Sequence, residues 1–264
     1  MMVNIIVMGA KGRMGSTIAG LAQADPELVL AAVIERPGAE AGLDVYGCEV
    51  ATGPTGLAGA LQRFKGALVI DFTQPECSLA TAQAAAEAGA RAVIGTTGLS
   101  ADQLAALKTA AVNTPLLWAP NMSVGINTLL SVLPQLAQKL GPGFDLEVME
   151  IHHNKKADSP SGTALKLGEC LAAARNQELD QVKRCCREGL IGARPAGEIG
   201  LQTIRGGDVA GDHTIYFLGQ GERIEVTHRA HSRENLARGA LRAAKWLAGA
   251  GAGKLYGMAD VLGL

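Results

Sequence analysis

The stretch V-N-I-I-V-M-G-A-K-G-R-M-G, residues Val3 to Gly15, decides the fold. Val3–Met8 is an apolar run of strand length, and a helical pattern follows over Arg13–Ala24. Between them Gly9, Gly12 and Gly15 recur at every third position. Glycine at such places allows a tight turn, close approach of the backbone to a pyrophosphate, and close packing of helix on strand. A second apolar run, Leu28–Ile34, ends at Glu35, twenty residues after Gly15. An acid at that distance is placed to accept hydrogen bonds from ribose hydroxyls. A glycine-rich turn alone also serves plain loop geometry. The succession of strand, turn, helix, strand and acid points to a bound dinucleotide. Arg36 beside Glu35 can pair with a 2′-phosphate, so NADH and NADPH both stay open as the cofactor.

Outward from this unit the alternation continues. Ala67–Phe72, Ala92–Ile94 and Leu116–Trp118 read as buried strands, and Pro75–Ala88 and Ala101–Val112 as helices. Pro37–Gly56 is glycine-rich and reads as irregular, without chemistry. Strands alternating with helices imply a parallel sheet with right-handed crossovers and ligands at the C-terminal strand ends. Asp71-Phe72-Thr73, Gly95-Thr96-Thr97-Gly98 and Ala119-Pro120-Asn121-Met122 lie at such ends. After Gly125 the pattern changes. Ile126–Leu140 is a long apolar helix, Phe144–Ile151 a strand alternating with acids, and Ala172–Gly189 helical and then charged, with Cys185 and Cys186 as packing residues. Gln202–Arg205, His213–Leu218 and Arg223–Arg229 read as strands of a mostly antiparallel, open-faced sheet. Such a face commonly finds its cover in another subunit, so an oligomer is expected. Arg233–Ala248, with Ser232 as N-cap and Leu236, Leu241 and Trp246 on its apolar side, is expected to return to the first domain. The expected fold is therefore α/β: a Rossmann-like parallel-sheet domain over residues 1–122, completed by 233–264, and a second α+β domain over 123–232 with an open mixed or antiparallel sheet.

Composition narrows the function classes. Lys and Arg total 24 against 25 Asp and Glu, a formal net charge of −1, which gives no global attraction to nucleic acid or an anionic membrane. Five cysteines without CxxC spacing suggest neither a disulfide framework nor a zinc site. No apolar run has the length of a membrane span, and the first residues lack a basic leader, so a cytoplasmic protein is expected.

The chemistry concentrates in E-I-H-H-N-K-K-A-D-S-P-S-G-T-A, residues 150 to 164. A strand delivers His152 and His153 to its C-terminal end, Asp158-Ser159-Pro160 turns the chain, and Ser161-Gly162-Thr163 opens a helix. The free N–H groups and positive dipole end of that helix suit a carboxylate or phosphate. With Lys155 and Lys156 nearby, the stretch reads as a pocket for a small anion with acid–base groups at hand. Adjacent histidines on a strand face opposite ways, which argues against a metal site. His213, His228 and His231 read as local polar contacts.

These motifs resemble those of the dihydrodipicolinate reductase family along nearly the whole chain. The carriers are residues 9–15, Glu35-Arg36, 71–73, 95–98, 119–127, 150–164 and 211–217, and the K-x-D-x-P-S-G-T-A segment after paired histidines is the most specific. The resemblance implies a homotetramer in which NADH or NADPH donates hydride to a small cyclic dicarboxylate. It implies His152 as proton donor and acceptor, Lys156 as proton donor, and His153, Ser161, Gly162 and Thr163 as substrate ligands. It further implies cofactor contacts from Gly9, Ala10, Lys11, Gly12, Arg13, Met14, Glu35, Arg36, Gly95, Thr96, Thr97, Ala119, Pro120, Asn121 and Met122. Met122 departs from an aromatic residue in relatives.

Overall fold

The structure, a computed structural model, describes residues 2–264 and divides into two compact units, Met1–Val124 with Arg233–Leu264, and Gly125–Ser232. The first unit begins with β1 (Val3–Met8), α1 (Arg13–Ala24) and β2 (Leu28–Glu35), whose strands are almost entirely apolar because helices cover both faces. The segment expected to be irregular instead holds β3 (Glu49–Thr52), paired with β2, and the start of α2 (Gly53–Arg63). Glycines and prolines mask these elements, yet Pro54 suits a first helical turn, and Leu57, Ala60 and Leu61 bury one face. Next come β4 (Leu68–Asp71), α3 (Pro75–Glu87), β5 (Arg91–Ile94), α4 (Ala101–Ala110) and β6 (Leu116–Trp118).

The second unit is built from α5 (Val124–Leu140), β7 (Asp145–His152), α6 (Gly162–Ala174), α7 (Leu179–Val182), β8 (Lys183–Arg184), β9 (Ile199–Arg205), β10 (Gly211–Leu218) and β11 (Arg223–Ala230). Its sheet, ordered β11-β10-β7-β9-β8, is mixed rather than mostly antiparallel: β10 runs against β7 and β11, whereas β9 runs with β7 and β8. The parallel pairs arise because α6 and α7 carry the chain back before β8 and β9. The helical part of residues 172–189 is the end of α6 and the single turn of α7, with Asn176 left-handed between them, and Cys185 and Cys186 are exposed rather than packed.

The chain then returns to the first unit as α8 (Glu234–Leu247), β12 (Leu255–Tyr256) and α9 (Met258–Leu262). Arg233, not Ser232, takes the cap position of α8, without a side-chain cap bond. Leu236 and Trp246 are only partly buried. The buried face is Ala237, Gly239, Ala240, Leu241, Ala243, Ala244 and Leu247, whose alanines and glycine let the helix lie close to its neighbours. All seven strands of the first sheet, β12-β6-β5-β4-β1-β2-β3, run parallel, and the order reverses between β1 and β4. Gly239 of α8 lies so near the loop after β6 that a Cβ there would stand 1.8 Å from the Met122 carbonyl oxygen. Gly239→Ala should therefore destabilise the protein by about 1–3 kcal/mol through overpacking, seen as a lower denaturation midpoint for the full chain.

Candidate active site

In the first unit the C-terminal ends of β1, β2 and β4 surround a cavity of about 730 Å³, lined by Gly9, Gly12, Arg13, Met14, Glu35 and Arg36 among others. It lies at the reversal of strand order, where open parallel sheets hold their ligands. The lining fits a dinucleotide. A Cβ on Gly15 would stand 2.1 Å from the Gly9 carbonyl oxygen, so only glycine lets α1 start this close to β1. Gly12 caps α1 without a side chain, leaving the helix start to face a phosphate. The Glu35 carboxylate is held by the N–H groups of Lys11 at 3.0 Å and Arg36 at 2.9 Å. Asp71 is wholly buried and orders the turn after β4, accepting from the N–H and hydroxyl of Thr73 and from the Thr81 hydroxyl.

Not every expected cofactor residue lines this cavity. Ala10 and Lys11 stand in the turn but outside the lining, as do Gly95, Thr96, Thr97, Ala119, Pro120, Asn121 and Met122, which follow β5 and β6. Thr96 spends its hydroxyl on Ser78 at 2.6 Å, and the Met122 side chain is wholly buried in the core. Phe72 and Thr73, placed by sequence reading at a ligand-bearing strand end, line the cavity, as do Pro37 and Pro54, to which it gave no such part.

In the second unit the alternation of β7 builds the site. Leu146 and Val148 point into the core, and on the same face two further steps place Glu150 and His152, both buried. Cross-strand pairing adds Thr203 and Arg205 from β9 and His213 from β10. The Glu150 carboxylate lies 2.5 Å from His152 Nδ1 and accepts from Arg205 at 2.7 and 2.8 Å, from the Ser161 N–H at 2.9 Å, and from the Thr203 hydroxyl at 3.2 Å. Ser161 caps α6 through the Ala164 N–H at 3.1 Å, and its hydroxyl lies 3.2 Å from His213 Nε2. The rings of His152 and His213 meet edge to face, 5.2 Å apart. Lys156 is held 2.8 Å from Asp158. The His153 N–H donates to the Val209 carbonyl at 2.8 Å, while its Nδ1 is buried without a partner. Gly162 opens the helix with nothing within 4 Å of where a Cβ would stand. Thr163 follows, half-buried.

Sequence reading thus finds His152, His153, Lys156 and Ser161–Thr163 on one stretch. It leaves Glu150, Arg205 and His213 without a part. His213, expected as a local contact, does make one, but to Ser161 inside the cluster. The signal was there: His213, Ile215 and Phe217 alternate onto one face of β10.

Burial raises the Glu150 pKa, but hydrogen bonds from Arg205, His152 and Ser161 outweigh it and hold the group at about 2. Burial pushes His152 below its ordinary value despite Glu150, and pushes His213 down to about 4. A carboxylate depressed in the folded state adds stability in full above its unfolded value, and loses it as pH falls through the folded one. Wild type should therefore exceed Glu150→Gln in urea midpoint most clearly above about pH 4.5, and the gap should narrow towards about pH 2. A constant gap across that window would contradict the pairing.

A dinucleotide cradle in the same chain as a buried histidine–carboxylate pair beside a lysine defines an oxidoreductase that uses a nicotinamide cofactor. Models described as dihydrodipicolinate reductase, N-terminus and C-terminus, match residues 3–122 and 125–262. The chain belongs to the dihydrodipicolinate reductase family. It is 58% identical over 262 residues to 4-hydroxy-tetrahydrodipicolinate reductase of Nitratidesulfovibrio vulgaris (strain DSM 19637 / Miyazaki F), covering 99% of this chain and 100% of that one. With the enzyme of the same name from Oleidesulfovibrio alaskensis the identity is 59%, at the same coverage. The structure of dipicolinate-bound dihydrodipicolinate reductase from Paenisporosarcina sp. TG-14 shares the fold, with a TM-score of 0.76, 24% identity, and coverage of 98% of this chain and 99% of that one. No helix among the described residues is long and apolar enough to cross a membrane, and none of their His, Cys, Asp and Glu side chains cluster as a metal site.

Proposed function

We propose that the chain reduces 4-hydroxy-tetrahydrodipicolinate to tetrahydrodipicolinate in lysine and diaminopimelate biosynthesis. The observation that carries this reading is the gathering of His152, Lys156 and the Ser161-capped start of α6 at the end of β7. Loss of the ring hydroxyl as water leaves a conjugated imine, and a nicotinamide held by the first unit would supply a hydride to its ring C4. Negative charge then develops in the ring and is balanced by a proton from His152 or Lys156, a contribution worth ~10²–10⁴-fold. His153, Ser161, Gly162 and Thr163 bind a ring carboxylate, with charge-assisted bonding from Lys156. Gly9 to Met14, Glu35, Arg36, Gly95 to Thr97 and Ala119 to Met122 hold the cofactor, several of them through backbone atoms.

Either NADH or NADPH can serve. Glu35 has lone pairs left for ribose hydroxyls after accepting from two N–H groups, and Arg36 beside it can meet a 2′-phosphate. The outer face of the second sheet carries Met149, Ile151 and the exposed Ile204, which supports assembly through this unit into a homotetramer.

Loss of reduced-nicotinamide absorbance, with substrate made in situ from pyruvate and aspartate semialdehyde, tests the activity. Combining His152→Ala with Lys156→Ala should lower turnover by at least ~10²-fold with cofactor binding intact, and near-normal turnover would overturn the reading. Arg36→Ala should raise the KM for NADPH by about tenfold or more and leave that for NADH nearly unchanged, the loss expected of one charged hydrogen bond.

A further inference from the structure

We propose that Glu150 is the positioning residue of the proton-transfer site: clamped by Arg205, its carboxylate takes the Nδ1–H of His152 and so makes Nε2 the nitrogen that exchanges the proton. This rests on the reading of His152 as a proton donor. Glu150 is 1% exposed, and every donor around it except the imidazole belongs to a group with a structural anchor. Arg205 also bonds the Asp158 carbonyl at 2.7 Å, the Ser161 N–H belongs to the cap of α6, and Thr203 sits on β9. The carboxylate therefore cannot turn to follow the ring, and the ring must turn to it. An ionised carboxylate only accepts, so the Nδ1 facing it at 2.5 Å must carry a proton whether His152 is neutral or charged. Nε2 then changes protonation during a cycle. Its side of the ring borders Gly211, where a Cβ would stand 2.9 Å from Nε2, so the absence of a side chain there leaves that nitrogen room.

The charge balance around the ring agrees. Glu150 on its own strand favours imidazolium, whereas burial, Lys156 and Arg205 oppose it, and His213, the neighbouring ring on β10, is itself held neutral by burial. Asp158 is already paired with Lys156. Glu150 is the anion in contact with His152. Removing its charge lowers the imidazolium's stability, and an amide N–H in its place favours the opposite tautomer, as asparagine does for the aspartate of a serine-protease triad.

Glu150→Gln should lower kcat by ~10²-fold or more while the substrate KM moves far less. The alkaline limb of kcat, where the acid form is lost, should shift to lower pH. A purely structural role would leave that limb in place. Normal kcat with an unmoved limb, alongside collapse in His152→Ala, would overturn the positioning role and leave the function intact. Near-normal turnover in His152→Ala would overturn the positioning role and assign the proton to Lys156, whereas wild-type protein that binds the cofactor but oxidises none of it with this substrate would overturn the function. A second measurement avoids the variant's folding altogether. In wild-type protein with 15N-labelled histidine, the His152 resonances, assigned by their loss in His152→Asn, should show a protonated Nδ1 and a bare Nε2 above the imidazole pKa. The reverse tautomer would sink the proposal.

Discussion

The second unit depends on one buried carboxylate. Glu150 sits where the apolar side of β7 runs out, and an unpaired anion there would cost several kcal/mol. The fold answers with donors from separate parts of the chain: the Arg205 guanidinium and Thr203 hydroxyl of β9, the Ser161 N–H at the start of α6, and the His152 imidazole two residues along. Each of these elements is needed for the ion to stay buried. Satisfying Glu150 therefore sets the place of His152 and of the helix start together. The chemistry inherits its geometry from an electrostatic requirement of folding.

The two helix starts are finished differently, and the difference follows their use. Gly12 gives α1 no side-chain cap, so its first N–H groups face the cavity. Ser161 caps α6 through Ala164, and its hydroxyl also meets His213. The first arrangement suits a diphosphate, which needs several backbone donors at once. The second keeps the helix start rigid beside the imidazoles and leaves Gly162 open where a small carboxylate can approach.

Some elements were hidden from sequence reading by their composition. Gly53-Pro54 opens a helix, and Leu57, Ala60 and Leu61 carry its buried face, but the glycines around them mimic a loop. Cys185 and Cys186 look apolar enough to pack, yet they follow a two-residue edge strand and are exposed. Orientation was also beyond a local pattern. The alternating strands were legible, while the parallel run of β9 beside β7 depends on how α6 and α7 return the chain.

The sequence by itself determined the parallel α/β unit, because buried strands, glycine turn and amphipathic helices are each encoded within a few residues. It also determined the chemistry-bearing stretch from Glu150 to Thr163, because turn, cap and titratable groups are contiguous there. Only the tertiary structure decided that Arg205 and His213 join it, because they reach Glu150 and Ser161 from 55 and 52 residues away across strand pairings. It likewise decided which cofactor-motif side chains face a cavity and which, like Met122, fill the core. Side-chain alternation says which residues share a face. Strand register decides which of them meet.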